Sequence, residues 1–309
     1  MRPRARLTPG SHLRNGSTMG DFLGGPWDLD VFLIVNLALA AALYLAGVRL
    51  RRDRTAIPPW PVGRTIAFLS GLVLLALVWL GPVAGWSHTF FWTHMTQHLV
   101  VMMLAAPLLV LGSPLLLLRD ASSPRVRDRY IDPALNSTVT RWVTDPAITW
   151  VLFAAVLIGT HFSPFYDWAL RNHDAELFLE RPLFLGAALL YYLPIIGSNP
   201  LPRRPTPAVK LLSLGALMIP EAIVGAVIYF APVVLYSTFA QSVRPFGPDP
   251  LSDQRLSGAI MWAVVMVIDT MWMMVVAVEW FNSEEERSRA MDVEIAAGQH
   301  AATADQSTA

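Results

Sequence analysis

The sequence predicts an all-α fold: a polytopic membrane protein of seven transmembrane helices, N-terminus outside and C-terminus cytoplasmic. Three observations carry that reading. Hydrophobic residues fill 54% of the 309 positions and charged residues only 15%, whereas soluble domains carry about 25% charged residues. Seven apolar stretches approach the roughly 20 residues that a helix needs to cross a bilayer. Basic residues gather in alternate loops.

In chain order the stretches are Val31–Val48, Ile66–Trp86, Phe91–Leu118, Pro146–Phe162, Leu177–Ile196, Leu211–Tyr236 and Leu256–Phe281. The third is long and holds Pro107 and Pro114. Proline lacks an N–H and crowds the carbonyl four residues earlier, so a kink or a frayed end is expected there. Prolines also mark loops, as in Ile57-Pro58-Pro59-Trp60-Pro61 and Pro200-Leu201-Pro202-Arg203-Arg204-Pro205. Trp27, Trp79, Trp86, Trp92, Trp142, Trp168, Tyr236 and Trp280 fall near span ends, as aromatic belts do. No internal repeat is visible. The expected organisation is a disordered N-terminal tail (1–26), one membrane domain (27–283) and a disordered cytoplasmic tail (284–309) opening on Glu284-Glu285-Glu286.

Arginine sets the orientation. The loops after the first, third and fifth helices, with the C-terminal tail, hold fifteen basic residues, among them Arg49, Arg51, Arg52, Arg54, Arg64, Arg119, Arg125, Arg203, Arg204 and Lys210. The intervening loops hold three, Arg171, Arg244 and Arg255. The rich side is cytoplasmic by the positive-inside rule. Arg2, Arg4, Arg6 and Arg14 lie well before the first span, and a start at Met19 would remove them. Met1–Gly20 lacks the apolar core of a secretory signal peptide.

Composition also excludes. The net charge is zero and there is no cysteine, which argues against a nucleic-acid binder and against disulfides, thiolate metal sites or CxxC redox chemistry. No P-loop, GxGxxG fingerprint, Ser–His–Asp order or EF-hand is present, and an enzyme is not expected.

Ionisable groups within a membrane are costly and need a partner or a task. His94 and His98 stand four apart at the start of the third helix, with Met102 four further on; that spacing puts them on one face, where two imidazoles can share a metal ion. An interfacial, solvated pair is the plainer alternative. His161 ends the fourth helix on the same side, where loop histidines His88 and His173 also fall; His12 and His300 lie in the tails. Glu176 and Glu180, followed by Arg181, open the fifth helix. They either complete a mixed histidine–carboxylate site or form a surface pair with Arg181. Glu221, after Pro220, and Asp269 lie deeper and have no basic partner in the apolar runs; they suit a shared proton, a bound cation or a structural hydrogen bond.

Three blocks resemble a known family. They are His94-Met95-Thr96-Gln97-His98-Leu99 running on to Ala106-Pro107-Leu108-Leu109-Val110-Leu111-Gly112-Ser113-Pro114, then His161-Phe162-Ser163-Pro164-Phe165-Tyr166-Asp167, and Pro250-Leu251-Ser252-Asp253-Gln254-Arg255-Leu256-Ser257-Gly258 with Met261-Trp262. Together they are similar to the signature of the CtaG-like, Caa-type cytochrome c oxidase assembly factors, over about Trp27 to Arg289. The resemblance implies seven helices, a bacterial plasma membrane and a role in maturing haem-copper oxidases, with copper handling inferred for it. Its motif histidines carry over as His94, His98 and His161. Members usually carry histidine at the start of the fifth helix, where this chain has Glu176, Glu180 and Arg181. They often carry another after Met-Pro in the sixth, where this chain has Glu221. Carboxylates are harder ligands than imidazole, so other divalent metals also suit.

The resulting expectation is a metal site of His94, His98 and His161, supplemented by Glu176, Glu180 and Glu221, with Met102 and Met261 offering soft coordination to Cu(I). Asp253 and Gln254 are expected to cap and orient the last helix, beside Gly258 and Trp262. Partners would be haem-copper oxidase subunits and the lipid bilayer, with no nucleic acid. The alternatives are a cation or proton transporter working through Glu221 and Asp269, and a redox protein with histidine-ligated haem.

Overall fold

A computed structural model of the chain describes residues 18–27, 29–52 and 58–307. His12, Arg2, Arg4, Arg6, Arg14 and Arg54 lie outside the described residues, as do the side chains of His173 and His300. All regular structure among the described residues is helical. The principal helices are α1 (Val31–Arg52), α2 (Val62–Trp86), α3 (Phe91–Ala121), α4 (Pro146–His161), α5 (Pro164–Leu170), α6 (Glu176–Ile195), α7 (Pro207–Phe230) and α8 (Pro250–Ser307). Six of them, all but α4 and α5, are long and apolar enough to cross a membrane. The fourth expected span is the bent pair α4–α5, which turns by 71° at Phe162-Ser163 and makes a seventh crossing only if the two count as one. Helix α8 runs on to Ser307, through the segment expected to be a tail.

Local chemistry explains where helices start. Asp145 accepts from the backbone N–H of Ala147 and Ile148, Thr206 from Val209 and Asp249 from Leu251 and Ser252. Proline follows each as the first helical residue, where its missing N–H costs nothing.

Within helices, proline acts differently. Three stretches widen to π-helical geometry, Val100–Ala105, Arg127–Ile131 and Glu176–Glu180, and each lies just before a proline: Pro107, Pro133 and Pro182. A wider turn relieves the clash of the ring with the preceding carbonyl. The expected break at Pro114 falls at Ser113, which adopts the left-handed conformation at φ 50° and so interrupts the helix just before the proline.

Proline also strips four carbonyls of their helical donor, and side chains from elsewhere replace it. Val78 O, which Pro82 cannot serve, accepts from Gln97 Nε2 at 2.7 Å. Met103 O, four before Pro107, accepts from the Trp272 indole at 2.8 Å. Val110 O, four before Pro114, takes Asn199 Nδ2 at 3.2 Å. Ile228 O, four before Pro232, takes Gln254 Nε2 at 3.4 Å, and the same amide also serves Val233 O at 3.0 Å. In lipid every backbone polar group must be satisfied within the protein, so these four side chains let the broken helices pack.

Helices α7 and α8 pack closely. A Cβ at Gly258 would lie 2.6 Å from Tyr229 N and 2.7 Å from Gly225 O, so only glycine permits this approach. The core between α3, α4, α6, α7 and α8 is filled by Met102, Phe153, Phe184, Tyr191, Tyr192, Leu214 and Trp272. Helix α1 is peripheral. Its Tyr44 stacks on Phe68 at 4.0 Å and donates to Gly112 O at 2.8 Å, and its Arg51 pairs with Asp120 at 2.9 Å.

Candidate metal centre

Helix α3 begins one turn before its first histidine, and that start is capped from another helix. The Asp253 carboxylate, fully buried on α8, accepts from Phe91 N at 2.7 Å and Trp92 N at 3.0 Å, and from Arg244 at 2.8 Å. The expectation that Asp253 caps its own helix is thus corrected: Asp249 does that, and Asp253, a turn into α8, points across to α3. Gln254 is likewise no cap of α8, since it accepts from Leu235 N at 2.7 Å and stitches the turn after α7. Both substitute side-chain groups for missing backbone partners.

With α3 held this way, His94 and His98 share a face as their spacing predicts. Their Nε2 atoms stand 2.6 Å apart, and each lies 3.2 Å from Glu180 Oε1. His94 and Glu180 are buried and the His98 side chain is 12% exposed. Among the described residues this is the one group of three histidine or acidic residues placed to hold a metal ion. An ion about 2.0–2.1 Å from each donor needs them roughly 3.3 Å apart. Two sides of the triangle already match, and the histidine pair must open by less than about 1 Å. The second Glu180 oxygen is buried without a hydrogen-bond partner, which leaves it free to ligate. The residues therefore fit a divalent ion.

Glu176 is not part of this triangle. Its Oε1 accepts from Arg181 at 2.8 Å and its Oε2 lies 3.0 Å from His88 Nε2. The two glutamates, four apart on the wide turn of α6, thus divide: Glu180 faces the histidines, while Glu176 binds the neighbouring cation and the loop histidine. Glu176 raises the pKa of His88 above its ordinary value, chiefly through that hydrogen bond and against the cost of burial.

His161 stands apart as well. Its ring centre is 6.2 Å from that of His98. Its Nδ1 lies 2.7 Å from Leu157 O, an acceptor only, so Nδ1 carries the proton and Nε2 the lone pair. That Nε2 is buried with no partner. His161 lines a cavity of about 20 Å³ together with His98, Met102, Met261 and Glu221; a smaller one, of about 10 Å³, lies at the triangle and is lined by His94, His98, Glu180 and Phe184.

A sequence model of the cytochrome c oxidase caa3 assembly factor family (Caa3_CtaG) matches residues 42–283. The chain belongs to this family. It is also 31% identical to uncharacterized proteins of Mycobacterium bovis and Mycobacterium tuberculosis over 267 residues, 84% of this chain and 40% of theirs. An uncharacterized protein of Mycobacterium leprae is 30% identical over 246 residues, 77% of this chain and 37% of its own. The chain thus spans about 40% of the length of these curated relatives. No solved structure matches it significantly.

All three blocks that carried the family resemblance converge on one end of the bundle. The first supplies His94 and His98, the second His161, and the third the Asp253 that caps α3. Asp167 of the second block accepts from the backbone N–H of Ser237 and Thr238 and ties the loop after α7 to α5. Glu221 and Asp269 lie deeper, on the packed pair α7 and α8, both buried and facing each other as a carboxyl pair. Gly258 sits at the closest approach of that pair, against which Trp262 also packs. Sequence reasoning missed Gln97, Asn199 and Trp272 as supports of the backbone. The signal was present: each serves a carbonyl four residues before a proline, but which side chain reaches it is a tertiary matter.

Proposed function

We propose that the protein is a non-catalytic assembly factor that binds a copper ion transiently and passes it to a haem-copper terminal oxidase in a bacterial plasma membrane. The observation that carries the reading is the buried convergence of His94, His98 and Glu180 in a member of an oxidase assembly family. Three donors leave a fourth position open, as a site that must exchange its ion requires, whereas closed four-ligand sites hold metal structurally. Glu180 offsets the charge of a divalent ion in a low-dielectric setting. No thiolate competes for the ion, because the chain has no cysteine. The arginine asymmetry supports an orientation with this site at the outer face and the arginine-rich end in the cytoplasm.

The deciding experiment deletes the gene and measures the oxidase's activity and copper content, with complementation by wild type and by His94→Ala/His98→Ala. Loss of both oxidase properties, restored by wild type only, supports the proposal. Full oxidase copper in the deletion strain overturns it. A second reading, cation or proton transport, draws on the buried carboxyl pair of Glu221 and Asp269. It requires flux in proteoliposomes that Glu221→Gln abolishes. Haem held between His94 and His98 does not fit the separation of their nitrogens. Nitrogens bracketing one iron stand roughly 4 Å apart at metal–nitrogen distances of about 2 Å, and those of His94 and His98 are at 2.6 Å.

A further inference from the structure

The cavity below the His94–His98–Glu180 triangle has a different chemistry from the triangle itself. Its wall carries four methionines, Met95, Met102, Met103 and Met261, all at most 3% exposed. The Met103 sulfur takes the Tyr192 hydroxyl at 3.8 Å, which leaves the other three thioethers for a ligand. Met95, His98 and Met102 come from successive turns of α3, Met261 from α8 and His161 from α4.

His161 is prepared as a metal ligand. Its Nδ1–H is committed to Leu157 O at 2.7 Å, the outer-shell arrangement that fixes the tautomer of metal-binding histidines. The opposite nitrogen carries the lone pair, is buried and has no partner. A buried nitrogen left unpartnered is costly, so its persistence in a residue that lines a cavity calls for a ligand. The cavity, about 20 Å³, exceeds the roughly 10–15 Å³ needed for one water. Water is a poor occupant of a wall built mainly from thioethers and hydrocarbon. Thioether and imidazole donors select soft, low-charge ions, Cu(I) above all, while carboxylate-bearing sites suit harder divalent ions.

We propose that His161, with thioether ligation from Met95, Met102 and Met261, forms a second metal site that takes Cu(I), distinct from the His94–His98–Glu180 triangle and joined to it by His98. The proposal deepens the metal-handling reading and rests on it. Cu(I) enters and leaves without a change of oxidation state. His98 and Phe184 line both cavities, and of the two only His98 carries a metal-ligating atom. Glu221 closes the inner wall and supplies the one carboxyl group there.

The test loads the purified full-length chain in detergent with Cu(I) under a reductant or, separately, with Zn(II). It compares wild type with Glu180→Gln, His161→Gln and the volume-conserving pair Met102→Leu/Met261→Leu. Metal stoichiometry, competition against a chromogenic Cu(I) chelator and X-ray absorption are read. The wild type is expected to show sulfur scatterers around Cu(I). The methionine pair and His161→Gln should lose Cu(I) affinity by at least about tenfold, since even outer-shell partners are worth roughly 10–100-fold. Both should keep Zn(II), whereas Glu180→Gln should lose Zn(II) and keep sulfur-ligated Cu(I). Absence of sulfur scattering in wild type overturns the second site, as does equal loss of both metals in Glu180→Gln and His161→Gln. If wild type binds neither metal, the parent reading falls with it; if it binds Zn(II) alone, only the second site falls.

Discussion

Asp253→Asn is the substitution whose consequences the structure defines most closely. The native carboxylate is fully buried and accepts from two backbone N–H groups of α3 and from Arg244. Asparagine keeps the shape and one acceptor oxygen but turns an N–H₂ group toward a donor and removes the charge. The Arg244 side chain, 9% exposed, then keeps its carbonyl contacts with Pro248 and Phe239 and its place over the Phe90 ring but no anionic partner. Breaking a buried ion pair costs about 3–5 kcal/mol and losing an N-cap about 0.5–2 kcal/mol. Because one acceptor survives, the expected loss is near the lower end, about 3 kcal/mol. The damage is directional: the first turn of α3 frays, and His94 lies in the next turn, so Zn(II) affinity should fall with stability. The assay is reversible denaturation of the purified protein in detergent, paired with Zn(II) titration, for Asp253→Asn, Arg244→Leu and the double variant. The double variant should lose less than the two single losses summed, by up to about 3 kcal/mol. Strict additivity, or Asp253→Asn within about 0.5 kcal/mol of wild type, would refute capping across helices.

Other predictions follow from separate features. Glu180→Gln should abolish Zn(II) binding at the triangle while Glu176→Gln largely preserves it, because only Glu180 faces both histidines; isothermal titration separates them, and equal loss would place both glutamates at the ion. Gly258→Ala should destabilise by about 1–3 kcal/mol through forced separation of α7 and α8, seen as a lowered thermal midpoint; an unchanged midpoint would show that the helices can slide apart freely. His88 has a raised pKa in the folded protein because of Glu176. Its protonated form therefore adds stability that is complete below its ordinary pKa, about 6.5, and lost as pH rises through the raised folded value. Thermal midpoints of wild type against His88→Gln should converge above that folded value and diverge toward pH 6; a constant gap across the range would remove Glu176 as the cause.

Much of this architecture is written locally. An apolar run of about 20 residues declares a span whatever it packs against, so six of the expected spans reappear as long apolar helices, although α7 ends at Phe230 rather than Tyr236 and α8 runs from Pro250 to Ser307 rather than from Leu256 to Phe281. The fourth differs because Ser163-Pro164 restarts a helix at an angle after only 16 residues of α4. The His94–His98 pair was legible for the same reason, since a spacing of four fixes a helical face. Glu180 and Glu176 were not separable in the sequence. Both precede Pro182, and the wide turn that this proline accompanies sends one to the histidines and the other to Arg181.

Sequence alone determined the membrane class, the helix order, the pairing of His94 with His98 and the exclusion of thiolate chemistry, because each depends on residue type or on spacing within one helix. Tertiary structure decided the rest. It chose Glu180 over His161 as the third member of the triangle, turned Asp253 from its own helix to α3, and placed His161 among methionines from other helices. Those choices depend on which helices meet and how closely, and that is set by contacts such as Gly225 on Gly258 and Trp272 on Met103. Such contacts join residues 33 to 169 positions apart, a range over which no local periodicity carries information.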